Sequence, residues 1–204
     1  MHAILALDER ARADLVLLLD RAAVFGDGTV RLVADGDVAL LTTPMAAAAG
    51  LLDSGPTILV ARASRMREPA RFDGVVPLPA LRDALRDGAD VEIPDAVTRP
   101  AWAAVSPPRS GWAHAGDVSP ETIRALAAQA AADVEAALPT SPGEAVRRRA
   151  ERAVWARPVD PSGLTAGQAA ALVAMRFLGD APVRVTAAGG WTRASARAGE
   201  VLAR

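Results

Sequence analysis

Leu164-Thr165-Ala166-Gly167-Gln168-Ala169-Ala170-Ala171-Leu172-Val173-Ala174-Met175-Arg176-Phe177-Leu178-Gly179-Asp180-Ala181-Pro182, followed by Val183 to Ala194, is the stretch on which the fold turns. Thr165 and Gln168 stand three apart, the spacing of a capping box. The hydroxyl can accept from the third helical N–H while the amide reaches back to the cap. Leu172, Met175 and Leu178, with Ala169 and Val173 beside them, recur at three- and four-residue steps and predict one apolar helix face. Gly179 stands where a left-handed residue would end that helix, and Pro182 follows where the helix cannot continue. Val183, Val185 and Ala187 alternate with Arg184 and Thr186, which predicts a strand with one wet face. Gly189-Gly190 offers the positive φ angles of a tight turn, and Trp191 to Ala194 returns as the second strand of a hairpin.

Working outward, the pattern predicts a long helix from Ser119-Pro120-Glu121, with a hydroxyl cap, a proline in the first turn and a carboxylate at the positive helix end. Its buried face is expected to be Ile123, Leu126, Ala127, Ala130, Val134 and Leu138. A charged helix follows from Glu144 to Ala153, with Val154-Trp155-Ala156 leaving it as a strand. Residues 98–118 carry Pro100, Pro107, Pro108, Gly111 and Gly116, and read as a Pro/Gly/Trp-rich linker or long loop without a helix.

Before that stretch, Met1 to Leu7 reads as a short strand and Asp8 as the cap of a helix. The apolar face Ala11, Leu15, Leu18, Leu19 and Ala22 is widened by Val16 and Leu17, which predicts burial from more than one side. Thr29–Ala34 and Asp37–Thr42 are β-prone runs joined by Asp35-Gly36, a hairpin signal. Pro44 to Leu52 reads as a small Ala-rich helix. Thr57-Ile58-Leu59-Val60-Ala61 is apolar throughout and should lie in a sheet covered on both faces. Ser64 to Phe72 reads as a polar loop, Pro79 to Gly88 as a helix, and Val91 to Ile93 as an edge strand. The expected fold is therefore α+β: a mixed α/β region over 1–97, the linker over 98–118, and a helical C-terminal region over 119–204 ending in a β-hairpin, with the halves able to share one domain.

Composition narrows the function. Of 204 residues, 51% are hydrophobic and 23% charged, a balance that predicts a folded globular body able to bury about 70% of its unfolded surface. The net charge of −1 argues against a general polyanion binder. With no cysteine, disulfides, thiolate zinc sites and a cysteine nucleophile are excluded, and a reducing cytoplasm is the expected setting. There is no lysine, asparagine or tyrosine, while alanine and arginine are abundant. That skew follows GC-rich coding, so arginine usage alone carries little function. The first residues lack a basic region and read as no signal peptide, and no run is long enough to span a membrane.

Ala174-Met175-Arg176-Phe177-Leu178-Gly179-Asp180-Ala181-Pro182-Val183-Arg184-Val185 and Gly190-Trp191, with Leu5-Ala6-Leu7-Asp8-Glu9, Ala11-Arg12-Ala13-Asp14-Leu15 and Gly111-Trp112, resemble an uncharacterised protein family of high-GC actinobacteria. That family carries a Met-Gly-Phe-Leu-Gly-Asp-like segment leading into a Pro-Val-Arg-Val strand and a Gly-x-Trp hairpin. Arg176 stands where the family pattern has glycine. The resemblance implies no activity.

The candidate site residues are few. His114, between Trp112 and Asp117, has the chemistry of a general base, and with Trp102 and Trp112 could line a small-molecule site. No Ser-His-Asp or Cys-His pattern surrounds it, so an ordinary loop histidine is the plainer reading and no catalytic residue is assigned. The four tryptophans, Trp102, Trp112, Trp155 and Trp191, read as lids over a core of small apolar residues. The acidic run Asp83, Asp87, Asp90, Glu92 and Asp95 lacks calcium-loop spacing and reads as a solvated helix end. No dinucleotide fingerprint or phosphate loop is present, so no metal and no cofactor are expected. Arg147, Arg148, Arg149 and Arg152 form the one basic patch. Three helices and a hairpin suggest a winged helix, but the helix from Ala166 would offer only Gln168 and Arg176 to a groove, which disfavours nucleic acid. The leading expectation is a non-enzymatic cytoplasmic interaction or regulatory protein, whose partner is itself or another protein. A small-molecule enzyme or binder using Trp112 and His114 comes second, and a winged-helix-like nucleic-acid binder third.

Overall fold

The computed structural model describes residues 3–47, 55–88, 90–97 and 100–204. The chain forms two compact units: residues 1–45 with 60–106, and residues 46–59 with 107–204.

In the first unit, β1 (Ile4–Ala6) pairs antiparallel with β4 (Asp90–Glu92), Leu5 opposite Val91. α1 (Glu9–Ala22) starts where Asp8 accepts from the Ala11 N–H at 2.7 Å. Leu15, Leu18, Leu19 and Ala22 are buried, but Leu17 is 48% exposed, so the helix is covered from one side and the wider face is not used. α2 (Leu78–Asp87) buries Leu78, Leu81 and Leu85. Its C-terminal end is held by Arg12, whose guanidinium donates to the Leu85 carbonyl at 2.9 Å, one of the carbonyls a helix end leaves unpaired.

β2 (Thr29–Ala46) folds back on itself. The Thr43 hydroxyl donates to the Thr29 carbonyl at 3.1 Å, whereas fourteen extended residues would separate the two by roughly 46 Å. Gly36, at φ +64°, supplies the reversal at the exposed tip, so the Asp35-Gly36 hairpin forms where the sequence places it. Pro44 to Ala46 belong to β2, and the rest of the Ala-rich helix expected there falls mostly on residues 48–54, outside the described residues.

β3 (Ile58–Pro77) begins in the second unit and continues into the first. Ile58, Leu59, Val60 and Ala61 are all buried, as a segment covered on both faces must be. Ser64 to Phe72 is strand rather than loop. Its residues are mostly exposed, so burial leaves no period in the sequence to read, and the backbone ladder makes the strand.

The second unit corrects the fold expected for the C-terminal half. It is a sheet-based unit and not a helical region ending in a hairpin. β5 (Ala113–Val118), β6 (Val183–Ala188), β7 (Trp191–Ala196) and β8 (Gly199–Ala203) pair antiparallel in succession, and the six-stranded order reads β2-β3-β8-β7-β6-β5. Thr57 and Arg204 exchange backbone hydrogen bonds at 3.1 and 3.0 Å where the start of β3 meets the end of β8. Two strands had no sequence signature. β8 is a five-residue run ending the chain, and β5 lies inside the stretch read as linker. The polar sequence of β5 has weak strand preference and is extended because β6 offers it a ladder. The same stretch also holds a single helical turn, α3 (Ala101–Ala104), which fits between the prolines.

α4 (Pro120–Ala136) is capped by Ser119, which accepts from the Thr122 N–H at 3.1 Å, and buries Ile123, Ala127, Ala130 and Val134. α5 (Glu144–Trp155) runs two residues beyond the expected end, and Val154 is buried against α4 and α6 side chains as helix rather than leaving as strand.

α6 (Ala166–Ala174) carries the full capping box: the Thr165 hydroxyl accepts from Gln168 N–H at 3.2 Å and the Gln168 amide oxygen from Thr165 N–H at 3.0 Å. The helix ends earlier than expected, and by another residue. Phe177 N–H reaches the Leu172 carbonyl at 2.9 Å and Arg176 N–H the Val173 carbonyl at 3.0 Å, the two bonds of a Schellman ending. The left-handed residue is Arg176, at φ +53°, and Gly179 has no positive φ. Glycine, the residue expected at position 176 from the resemblance, would suit that left-handed backbone. α6 is buried nearly all round, and Gly167 permits this. A β-carbon there would overlap Ile58 and lie 2.8 Å from the Trp155 Cβ.

Candidate functional site: the outer sheet face and the arginine groove

The register of the second sheet sorts its side chains onto two faces. Thr192 faces α6, because its hydroxyl donates to the Gln168 amide oxygen at 3.1 Å. Its cross-strand partners Ala187 and Ala203 share that face, and Val185, Ala194 and Val201 follow by alternation. The other face carries Thr186 opposite Arg193, itself opposite the buried Leu202, and Arg184 opposite Ser195, itself opposite Glu200, with the buried Trp191 on the same side of β7.

β5 adds to this outer face through an irregularity. His114 pairs with Thr186 and Asp117 with Arg184, with the register shifting between His114 and Gly116. In a regular strand, residues three apart point to opposite faces. The extra residue at Ala115 puts His114 and Asp117 on the same one, a re-aiming typical of β-bulges. The His114 Nε2 lies 3.4 Å from an Asp117 carboxylate oxygen, and the two side chains are 56% and 52% exposed.

Around this pair the polar groups bind one another. Arg193 donates from Nε to the Thr186 hydroxyl at 3.3 Å, and its guanidinium sits 4.4 Å from the centre of the Trp112 ring, a cation–π contact. The Trp112 indole N–H donates to the Pro108 carbonyl at 2.9 Å. Ser195 donates to Glu200 at 2.8 Å. Arg193 and the 107–112 loop were not anticipated as partners. Only the register, set by residues about eighty positions away, brings them together.

Trp102 belongs to the first unit. It is 5% exposed, with its indole N–H donating to Asp27 at 3.0 Å, so it acts as a lid there. Trp191 is also buried, at 3%. Gln168, counted as a possible groove-reading residue, is completely buried, and Arg176 serves the helix end.

The four arginines of α5 divide. Arg147 binds Glu135 of α4 at 2.7 Å, and that hydrogen-bonded carboxylate raises its pKa further above the usual guanidinium value. Glu151 is partly buried beside it, and loss of water raises its carboxyl pKa. Arg148, Arg149 and Arg152 instead line an open groove of about 540 Å³ with Gly55 and Pro56, walled by Ala145, Ala153 and Ala156. The Arg152 guanidinium lies where a β-carbon on Gly55 would be, which ties the groove floor to glycine.

In the first unit, Asp87, Asp90, Glu92 and Asp95 border a second open groove of about 580 Å³. Asp90 is engaged by Arg67, and Asp83 by Arg82 at 3.1 Å. Among the described residues no three His, Asp or Glu side chains are placed to hold a metal ion, and no helix is long and apolar enough to cross a membrane.

These features define a class: a helix-backed antiparallel sheet unit whose outer face sets polar side chains beside the buried Trp191 and Leu202, with a separate basic groove. Residues 107–204 match an uncharacterised family, described as a domain of unknown function (DUF8185). That span coincides with the long segment of the second unit. No curated protein matches the chain.

Proposed function

We propose that this is a non-enzymatic interaction or regulatory protein of the actinobacterial cytoplasm that associates with a second copy of itself through the outer sheet face of the second unit. The observation that carries this reading is the setting of His114. It is more than half exposed, has one carboxylate neighbour, and lines neither groove. A general base needs a recess that holds a reacting atom within hydrogen-bond reach. Here the neighbouring polar groups are instead satisfied by each other. The face sets opposite charges side by side in Asp117 and Arg184, and the carboxylate of Glu200 follows two strands on, beyond Ser195. A two-fold axis would set the arginine of one copy against the carboxylate of the other, as a self-complementary interface requires. Tryptophan and arginine in contact are the residue types that anchor interfaces.

Sedimentation velocity over 1 to 100 μM (roughly the range of weak-to-moderate dimers) tests it. A dimer is expected, and Asp117→Arg, an exposed change that sets two like charges side by side where Asp117 met Arg184, should dissociate it. A strict monomer at the upper concentration, or a dimer indifferent to Asp117→Arg, overturns the reading. The Asp117 contact favours one alternative, a small-molecule site in which the carboxylate orients the His114 imidazole. Binding of a small ligand that shifts His114 titration by NMR while the protein stays monomeric would select it.

A further inference from the structure

β5 ends the sheet order, and a bulge in an edge strand can serve to keep other strands from pairing with it. That role needs neither a histidine nor a carboxylate, yet the extra residue, Ala115, brings one of each to the same face. The His114 Nε2 stands 3.4 Å from the Asp117 carboxylate, and both side chains are open to solvent. Arg184, opposite Asp117 in the register, would be the ordinary cross-strand partner of that carboxylate. It is exposed and makes no ion pair among the described residues. One carboxylate therefore has two cations beside it. The first, across the strand, is permanent; the second, in its own strand, exists only when the imidazole is protonated.

The other charged groups around His114 are already engaged or face water. Arg193 of β7 is held by the Trp112 ring and the Thr186 hydroxyl, and Glu200 of β8 by Ser195. Arg109, in the 107–112 loop, is exposed. Behind the strand Ser162 packs against Gly116, and the Asp160 carboxylate accepts the Ser162 N–H at 2.9 Å. Of these side-chain types only histidine ordinarily changes charge between pH 5 and 8. The one other histidine of the chain, His2, lies outside the described residues.

We infer that His114 is a pH switch for self-association through this face: protonated, it holds Asp117 within its own strand, and the copies separate. This rests on reading the outer face as a two-fold interface. With the imidazole neutral, Asp117 is left for Arg184 of the second copy. With the imidazolium formed, its N–H donates to Asp117. At 3.4 Å the present contact is longer than a charge-assisted bond of about 2.8 Å, so protonation draws the pair together. The carboxylate charge is then offset, and each copy turns one more positive charge toward the other, which opposes association. The dimer binds fewer protons than two separate copies. Association therefore strengthens as pH rises through the histidine range and is lost as pH falls through it.

Sedimentation velocity of the full chain at about pH 8 and about pH 6, where histidine changes charge, tests the switch. Kd should rise about tenfold on acidification, because an exposed ion pair is weak and the two-fold axis counts it twice. His114→Gln, which takes up no proton, should flatten the profile. His114→Lys, a permanent cation, should keep association weak at both values. The position is exposed, and circular dichroism reports whether each variant keeps its fold. Four results each overturn the switch while the dimer stands: equal Kd at the two pH values, tighter association at the lower one, a response that survives His114→Gln, or a His114→Lys dimer as tight at pH 8 as the natural chain. A strict monomer at pH 8 and about 100 μM instead overturns the self-association reading, and the switch with it.

Discussion

Gln168→Met removes a side chain that holds α6 to two strands. The native amide is fully buried and makes four hydrogen bonds. Its nitrogen donates to the Thr192 carbonyl at 3.2 Å and the Val201 carbonyl at 3.0 Å. Its oxygen accepts from the Thr192 hydroxyl at 3.1 Å and the Thr165 N–H at 3.0 Å. A buried bond contributes about 1 kcal/mol net, so four are worth roughly 4 kcal/mol, and methionine recovers part of this through its apolar contacts. The expected loss is about 2–4 kcal/mol, against a total stability of only 5–15 kcal/mol in typical domains. Urea unfolding followed by tryptophan fluorescence and circular dichroism measures it, with an unchanged denaturant slope showing that stability alone has moved. Thr165→Ala, which removes only the cap, should cost about 1 kcal/mol. Gln168→Glu supplies an independent sign. Full burial and the two carbonyls that would face one carboxylate oxygen outweigh the Thr165 N–H and Thr192 hydroxyl on the other, so its folded pKa lies above its unfolded value. The variant should therefore be most stable below the unfolded pKa and lose stability as pH rises through the folded one. A Gln168→Met loss no larger than that of Thr165→Ala would refute the claim that the amide clamps the sheet.

The helix ending makes a paired prediction. Arg176→Gly should stabilise by roughly 0.5–1 kcal/mol because the position is left-handed, whereas Gly179→Ala should stay within about ±0.5 kcal/mol because it is not. Thermal unfolding of the two variants checks both, and the opposite order would mean the helix ends at Gly179. Leu172→Ala, at a residue with no exposed surface, should cost about 2–5 kcal/mol by chemical denaturation, and a loss below 1 kcal/mol would take Leu172 out of the core.

The local features were legible in the sequence because their causes are local. Asp8, Ser119 and Thr165 cap helices through partners three residues away, and Gly36 turns a hairpin on its own φ angle. Arg176 misled because nothing in its side chain announces a left-handed backbone. The bond that demands it, Phe177 to Leu172, competes with a longer helix that the apolar period alone would support. The candidate site was legible only as residue types. The sequence offered His114, Trp112 and four arginines, but not Arg193 on Trp112, nor Arg147 parted from Arg148 and Arg149.

From the residues alone one could determine where helices start, which faces are apolar, and that cysteine chemistry is excluded. Only the tertiary structure decided that the C-terminal half is built on a sheet, that a bulge sets His114 beside Asp117, and that Gln168 is a clamp and not a surface reader. The physical reason is range. A cap or a turn is settled by atoms within one helical turn. A strand such as Ala113–Val118 has no claim to be extended until Val183–Ala188 arrives beside it with matching donors and acceptors.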